Sequence, residues 1–139
     1  MSGKREALLE FEEHGGIHVG TILSSSVLNP ANVIEFGREV LEFVNGHPGV
    51  NLLLNFENVE YLSSAVLTEL LKVKKAIDET RGRLRLCAVS PVIQEVFEIT
   101  NLNTVFTIHP DGVSASIRRF ERAIEVAAQE EAWEHQDGK

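Results

Sequence analysis

The first part of the chain alternates apolar and polar positions in two runs that meet at Gly15-Gly16. Alternation with a period of two is typical of strands, and a glycine pair between such runs is typical of a hairpin turn. Residues 7–23 are therefore predicted to form a β-hairpin. Leu9 and Phe11 alternate with charged residues, which predicts a first strand with one face in water.

A helical pattern begins at Asn29-Pro30, where an asparagine cap and a proline in the first turn favour a helix start. Its apolar positions recur every three or four residues, which predicts one buried face. These positions are Val33, Ile34, Phe36, Val40, Leu41 and Val44. Asn45-Gly46 and the following Pro48 are predicted to end this helix.

The segment from residue 50 to residue 77 joins a nearly unbroken apolar run to a second helical pattern. Because Leu52–Leu54 are consecutive, this strand is predicted to be covered on both faces, as strands of parallel sheets are. Ser63 and Ser64 precede the helix, where hydroxyl groups can accept backbone N–H groups that lack partners. The helix is predicted to bury one broad face, made of Val66, Leu67, Leu70, Leu71, Val73 and Ile77.

The rest of the chain repeats the alternation of strands and helices. The predicted elements are a strand over residues 83–89, a helix from Ser90-Pro91 to Thr100-Asn101, a strand over 104–108, and a helix along Val113, Ile117, Phe120, Ile124 and Ala127. Residues 129–139 are predicted to be a flexible polar tail.

The predicted order is ββαβαβαβα, which indicates an α/β fold. Strands that alternate with helices favour a mostly parallel sheet, and the opening hairpin makes the sheet mixed. The sequence contains no internal repeat and no long linker, so residues 1–128 are predicted to form a single domain.

The formal net charge of −8 argues against two classes of partner. Nucleic-acid binding depends on lysine and arginine that neutralise phosphates, and an acidic surface is repelled by anionic membranes. The single Cys87 cannot form an internal disulfide, which favours a reducing cytoplasm. With no apolar leader and no run of membrane-spanning length, the sequence predicts a soluble cytoplasmic protein.

Patterns for catalysis, metal binding or cofactor binding are missing from the sequence. It has neither a glycine-rich phosphate loop nor the glycine-flanked serine of a nucleophile elbow. Cys87 lies in an alternating strand and is predicted to be a packed side chain rather than a nucleophile. No cofactor or metal is therefore expected. The five histidines lack ligand spacing and are predicted to be surface or loop residues; they are His14, His18, His47, His109 and His135.

Ser64 is the one candidate for chemistry, and the residues alone leave three roles open. Spacing by itself favours a helix cap. A phosphate on Ser64 would meet unpaired N–H groups and the positive end of the helix dipole, so its charge could eject a partner without unfolding the domain. A hydrolase nucleophile is the third role, and it lacks a matching histidine–acid pair and oxyanion glycines.

The segment VEYLSSAVLTELL resembles the signature of STAS domains, especially bacterial anti-sigma factor antagonists. The usual form is V-x-[FY]-[ILM]-D-S-[ST]-G-L, with a variant Y-I-S-S-A-G-L. A second segment, RGRLRLCAVSPVIQEVFEITNLNTVFTI, is similar to the family pattern G-G-x-L-x-L-x-x-x-S-P-x-V-x-x-x-L-x-x-T-G-L-x-x-x-F-x-I. The resemblance extends over residues 7–127.

This resemblance implies a mixed sheet with helices mainly on one face, and a protein-binding role without catalytic activity. In the family, the serine that matches Ser64 is phosphorylated by a partner anti-sigma factor, itself an ATP-using serine kinase. The unphosphorylated antagonist binds this kinase and frees the sigma factor, and a phosphatase restores the cycle. The implied phosphoacceptor is Ser64, and the implied partner-binding residues are Ser63, Ser64, Ala65, Val66, Thr68 and Lys72.

Two departures from the family pattern favour an alternative function. Ser63 replaces the usual aspartate, and Val66 replaces a glycine, adding a β-branched side chain where a partner would approach. The alternative is a STAS domain that no longer switches and acts as a scaffold or an oligomerising subunit of a larger signalling complex. Self-association as a homodimer stays open.

Overall fold

The computed structural model describes residues 7–23, 30–60 and 62–137, and within these the elements follow the predicted order. The strands are β1 (Leu9–His14), β2 (Ile17–Ile22), β3 (Asn51–Asn55), β4 (Arg83–Cys87) and β5 (Thr107–Ile108). The α-helices are α1 (Pro30–Asn45), α2 (Ser64–Glu79), α3 (Pro91–Ile99) and α4 (Val113–Asp137), and a 3₁₀ helix spans Leu102–Thr104. Asn29, the predicted cap of α1, and Tyr61 of the signature segment lie outside the described residues.

The described strands form one mixed sheet in the order β1-β2-β3-β4-β5. β1 and β2 pair antiparallel, whereas β2, β3, β4 and β5 pair in parallel. Gly15 and Gly16 join the hairpin with φ angles of 58° and 91°, a left-handed conformation that glycine adopts at little cost. The prediction of a single α/β domain with a mostly parallel sheet is confirmed.

β3 lies at the centre of the sheet and is covered on both faces, as its three leucines predicted. Leu52 and Leu54 belong to the larger hydrophobic core, which α1, α2 and α3 cover. Leu53 faces the other way and packs in a smaller core with Phe120 of α4. Three helices therefore cover one face of the sheet and α4 covers the other, in agreement with helices mainly on one face.

The last strand is shorter than predicted. Residues 104–108 were expected to be extended, but only Thr107–Ile108 pair with β4. Asn101 ends α3 with a left-handed φ of 62°, and the hydroxyl of Thr104 donates a hydrogen bond to the Asn101 carbonyl at 2.7 Å. These local hydrogen bonds hold the chain in a 3₁₀ turn, because side-chain bonds to nearby backbone compete with strand pairing.

α4 is longer than predicted and continues past Ala128 to Asp137. Residues 129–139 were expected to be a flexible polar tail. Residues 128–132 are exposed, as their polarity suggested, but they are helical. The physical reason is composition: glutamate, glutamine and alanine are strong helix formers, so they extend a helix that already has a packed N-terminal half.

We predict that Gly82→Ala destabilises the fold by about 1–3 kcal/mol, because overpacking a filled site has that cost. A Cβ at Gly82 would overlap the backbone oxygen of Val50, which accepts a hydrogen bond from Arg83 N at 2.9 Å. Urea denaturation would measure the change in the free energy of unfolding.

The matched control for this substitution is Gly112→Ala. A Cβ at Gly112 meets no atom within 4 Å, and its φ is not positive. Equal stability losses in the two variants would show that the close approach at Gly82 does not constrain the fold.

Candidate functional site

The N-terminus of α2 is capped by Ser63. Ser63 has extended backbone angles (φ −101°, ψ 165°), and its Oγ accepts a hydrogen bond from Val66 N at 3.4 Å. Its carbonyl oxygen also accepts hydrogen bonds from Val66 N at 3.1 Å and Leu67 N at 3.3 Å. The capping role that spacing suggested for the serine pair therefore belongs to Ser63.

Ser64 is the first residue of α2 and is exposed. Among the described residues, its hydroxyl group has no hydrogen-bond partner, and the backbone N–H groups of Ser64 and Ala65 have no acceptor. The first turn of α2 contains no acidic residue. A helix N-terminus with free N–H groups carries partial positive charge, so this hydroxyl group stands where a negative charge would be stabilised.

Exposed side chains continue from Ser64 along one side of α2. They occur at spacings of three and four residues, which places them on one helical face. We call this face the α2 surface; it consists of Ser64, Ala65, Thr68, Leu71 and Lys72. Of the six predicted partner-binding residues, Ser64, Ala65, Thr68 and Lys72 lie on the α2 surface, and the partly exposed Ser63 borders it.

Val66 was predicted as a partner-binding residue, but its side chain does not lie on the α2 surface. Its side chain is 1% exposed and belongs to the larger hydrophobic core. It lies four residues before Leu70 and seven before Val73, so all three point toward the sheet. The Val66 side chain therefore offers no exposed surface and does not cover Ser64.

Leu71 is a residue that sequence reasoning missed as part of the surface. The periodic pattern assigned it to the buried face, but it is 40% exposed. Ile34 of α1 behaves in the same way and is 62% exposed. Each lies at the edge of the apolar face of its helix. A position at such an edge indicates in the sequence that the residue can be exposed. Leu71 adds apolar area to the mainly polar α2 surface, and Ile34 adds apolar area on the neighbouring α1.

The α2 surface borders a groove of about 290 Å³ between α1 and α2. Glu69 lies in this groove, is 7% exposed and forms an ion pair with Lys72 at 3.2 Å. A Cβ at Gly37 would overlap the carboxylate group of Glu69, so the glycine lets α1 approach α2 at this point. The two helices that form the groove therefore come into close contact beside the α2 surface.

Ser64 has no activating base in the part of the chain that the structure describes. A nucleophilic serine needs a general base within hydrogen-bond reach, and Ser64 has no such partner among the described residues. The hydrolase alternative therefore has no support from this geometry.

Cys87 was predicted to be a packed side chain rather than a nucleophile. Burial raises the pKa of the Cys87 thiol to about 11, so this thiol is protonated at neutral pH.

Three further observations concern metals, membranes and histidines within the described part of the chain. There, no three His, Cys, Asp or Glu side chains are arranged to hold a metal ion. No helix is both long enough and apolar enough to span a bilayer. His14 and His47 are exposed, as predicted. His18 lies in β2 and is half-buried, so it is not the surface or loop residue that was predicted, and His109 after β5 is only 5% exposed; the side chain of His135 lies outside the described part.

Comparison with known proteins gives a consistent family match. The family model of the STAS domain matches residues 9–131. BtrV of Bordetella bronchiseptica, a proposed anti-sigma factor antagonist, is 32% identical over 82 residues, which are 59% of this chain and 70% of BtrV.

Solved structures show the same fold at low sequence identity. An anti-sigma factor antagonist (STAS) domain protein from Planctomyces limnophilus has a TM-score of 0.72 and 20% identity, covering 81% of this chain and 97% of that one. The anti-sigma factor antagonist SpoIIAA of Bacillus is also similar. Its unphosphorylated form has a TM-score of 0.63 and 16% identity, covering 81% of this chain and 97% of that one. Its phosphorylated form has a TM-score of 0.58 and 18% identity, covering 80% of this chain and 97% of that one.

The two adjacent serines should respond differently to truncation. We expect Ser63→Ala to destabilise the domain by about 1 kcal/mol, since it removes the side-chain cap from Val66 N. We expect Ser64→Ala, the matched control, to change stability by less than about 0.5 kcal/mol because its hydroxyl group is unpaired. Urea denaturation measures both; a larger loss for Ser64→Ala would contradict the assignment of the cap.

Proposed function

Because the chain belongs to the STAS domain family, we propose that it is an anti-sigma factor antagonist that binds a serine-kinase anti-sigma factor and is switched off by phosphorylation of Ser64. The observation that carries this proposal is the exposed and unpaired hydroxyl group of Ser64 at the start of α2. A kinase needs an accessible hydroxyl group, and the helix loses no cap when Ser64 is modified, because Ser63 supplies it.

A phosphate on Ser64 would not require the domain to unfold. A phosphoserine carries about −1.5 to −2 charges at pH 7, which the N–H groups of Ser64 and Ala65 and the helix dipole can stabilise. The first turn has no acidic side chain to repel it. The family aspartate would place a carboxylate beside the phosphate, whereas Ser63 caps the helix without charge.

The added charge would act on the partner rather than on the fold. Binding through the α2 surface and its bordering groove would bury Leu71 and Ile34 together with polar groups near Ser64. A dianion at the Ser64 end of this contact must then be desolvated, which opposes association unless the partner supplies matching cations. Phosphorylation would therefore release the partner, and removal of the phosphate by a phosphatase would restore binding.

The relatives support the same proposal. BtrV is proposed to be an anti-sigma factor antagonist, and SpoIIAA has been solved with and without its phosphate. The non-switching alternative was favoured by Val66, but this side chain is buried beneath α2 and leaves Ser64 accessible. We assign the protein to a cytoplasmic signalling pathway that regulates transcription through a sigma factor.

The proposal predicts that Ser64→Asp weakens binding of the kinase partner by about tenfold or more, equivalent to about 1.4 kcal/mol. The immobilised wild-type chain would be used to capture the partner from the source cell. The captured protein would then be incubated with ATP and the free chain, and mass spectrometry would locate the phosphate at Ser64.

Ser114→Asp is the matched control for charge. Ser114 is exposed in the first turn of α4, on the other face of the sheet, so we expect its substitution to leave partner binding unchanged. We expect Ser64→Ala to bind and to resist phosphorylation. If the partner binds but Ser64 stays unmodified with ATP, the switch is refuted and the non-switching scaffold is favoured.

A further inference from the structure

Four arginines line an open cleft of about 800 Å³ beside α4. We call it the arginine cleft; its charged and titratable groups are Arg85, His109, Asp111, Arg118, Arg119 and Arg122. Arg85 projects from β4 toward α4, on the sheet face opposite to α2. The cleft is thus separate from Ser64 and the α2 surface.

The charges of the cleft are not balanced. Asp111 pairs with Arg119 at 2.5 Å and neutralises it. Arg118 and Arg122 have no carboxylate partner among the side chains that the structure describes. With Arg85, three guanidinium groups remain uncompensated in a chain whose net charge is −8. Such a local concentration of positive charge costs folding free energy through like-charge repulsion, and a bound anion would relieve this repulsion.

Arg85 is held in place before any ligand arrives. Its guanidinium group lies 5.0 Å from the centre of the Phe120 ring, and Nη1 lies 3.4 Å from His109 Nε2. Burial, followed by repulsion from Arg83, lowers the pKa of Arg85. Arg85, half-buried on β4, therefore differs from Arg118 and Arg122, which are exposed on α4. A fixed, partly desolvated guanidinium group is well suited to bind an anion, because little conformational entropy is lost on binding.

His109 contributes a neutral wall to the cleft. Its backbone N–H donates to Leu86 O at 2.8 Å, which fixes the residue at the end of β5. Burial lowers its pKa, and Arg85 and Arg119 lower it further, whereas Asp111 opposes this shift. The neutral imidazole can accept a hydrogen bond from Arg85 but cannot neutralise its charge. The positive charge therefore remains available to a ligand.

The size and extent of the cleft favour a small ligand over a nucleic acid. Small-molecule sites typically occupy about 300–1,000 Å³, and this cleft falls in that range. Nucleic acids need a basic surface that follows the phosphate backbone over a longer distance. Here a basic cluster lies on an otherwise acidic protein. Arginine forks match the geometry of phosphate oxygens and bind them in pairs of hydrogen bonds.

We propose that the arginine cleft binds a small molecule that carries a pyrophosphate group, with Arg85, Arg118 and Arg122 as its cationic contacts. Three uncompensated guanidinium groups match the two to three negative charges of such a group. Ile108, Pro110 and Ala123 line the same cleft and provide an apolar wall for the remainder of the molecule. This site does not depend on the role of Ser64, so either proposal can fail alone.

The test is a titration of the full chain with inorganic pyrophosphate at low ionic strength, followed by calorimetry and by nuclear magnetic resonance. We expect saturable binding of one molecule per chain, with resonance changes at His109 and the N-terminal half of α4. A nucleoside diphosphate is titrated in parallel. If it binds more tightly than pyrophosphate, its nucleoside contacts the apolar wall of the cleft. If the two bind equally, the cleft recognises the phosphates alone. Both results support the site.

We expect the double variant Arg118→Gln/Arg122→Gln to weaken pyrophosphate binding tenfold or more. Both residues are exposed, so the variant should keep the circular dichroism spectrum and the melting temperature of the unliganded protein. Lys74→Gln/Lys75→Gln is the matched control, since it removes the same two charges from α2. The control should change affinity by less than twofold.

Three results would overturn the proposal. The first is no saturable binding of pyrophosphate up to millimolar concentration. The second is an equal loss of affinity in the arginine and lysine variants, which would show that only overall charge matters. The third is that a DNA duplex or vesicles with anionic lipid bind through Arg118 and Arg122 more tightly than pyrophosphate does. That result would make the cleft a surface for a macromolecule or a membrane.

Discussion

The rest of the structure depends on the burial of β3 on both of its faces. Leu52 and Leu54 need cover on one side and Leu53 needs it on the other, and each of these side chains is fully buried. Burying a leucine contributes about 1.5–3 kcal/mol, so a bare face would remove much of the stability of a domain this size. Helices on both sides of the sheet follow from this requirement, and they place the α2 surface and the arginine cleft on opposite faces.

Much of the fold followed from patterns in the sequence. Alternation, glycine pairs and caps located the hairpin, the central strand and the helix starts, because each is a local property of the chain. β5 and the end of α4 were not predictable in the same way. At β5, hydrogen bonds around Asn101 compete with strand pairing. At the end of α4, the composition favours helix and polarity favours solvent, and polarity alone does not distinguish an exposed helix from a tail.

The site was predicted in outline but not side chain by side chain. Ser64 was identified correctly as an exposed residue at a helix start. Periodicity placed Val66 correctly on the buried face of α2, whereas the family resemblance placed it at the partner surface. Leu71 was misplaced, since periodicity gives the direction of a helical face but not what covers its edges. The arginine cleft was invisible in the sequence because its members come from β4 and α4, which are distant in the chain and meet only in the folded sheet.

The close contact at Gly37 has a consequence for substitution within α1. Because this residue has no side chain, the carboxylate of Glu69 occupies the space where a Cβ would lie, and α1 comes close to α2 beside the groove. A larger residue at position 37 would have to displace this carboxylate from its place beside Lys72, so the ion pair and the small residue depend on each other. The charge balance of the α2 surface is thereby linked to the packing of a neighbouring helix.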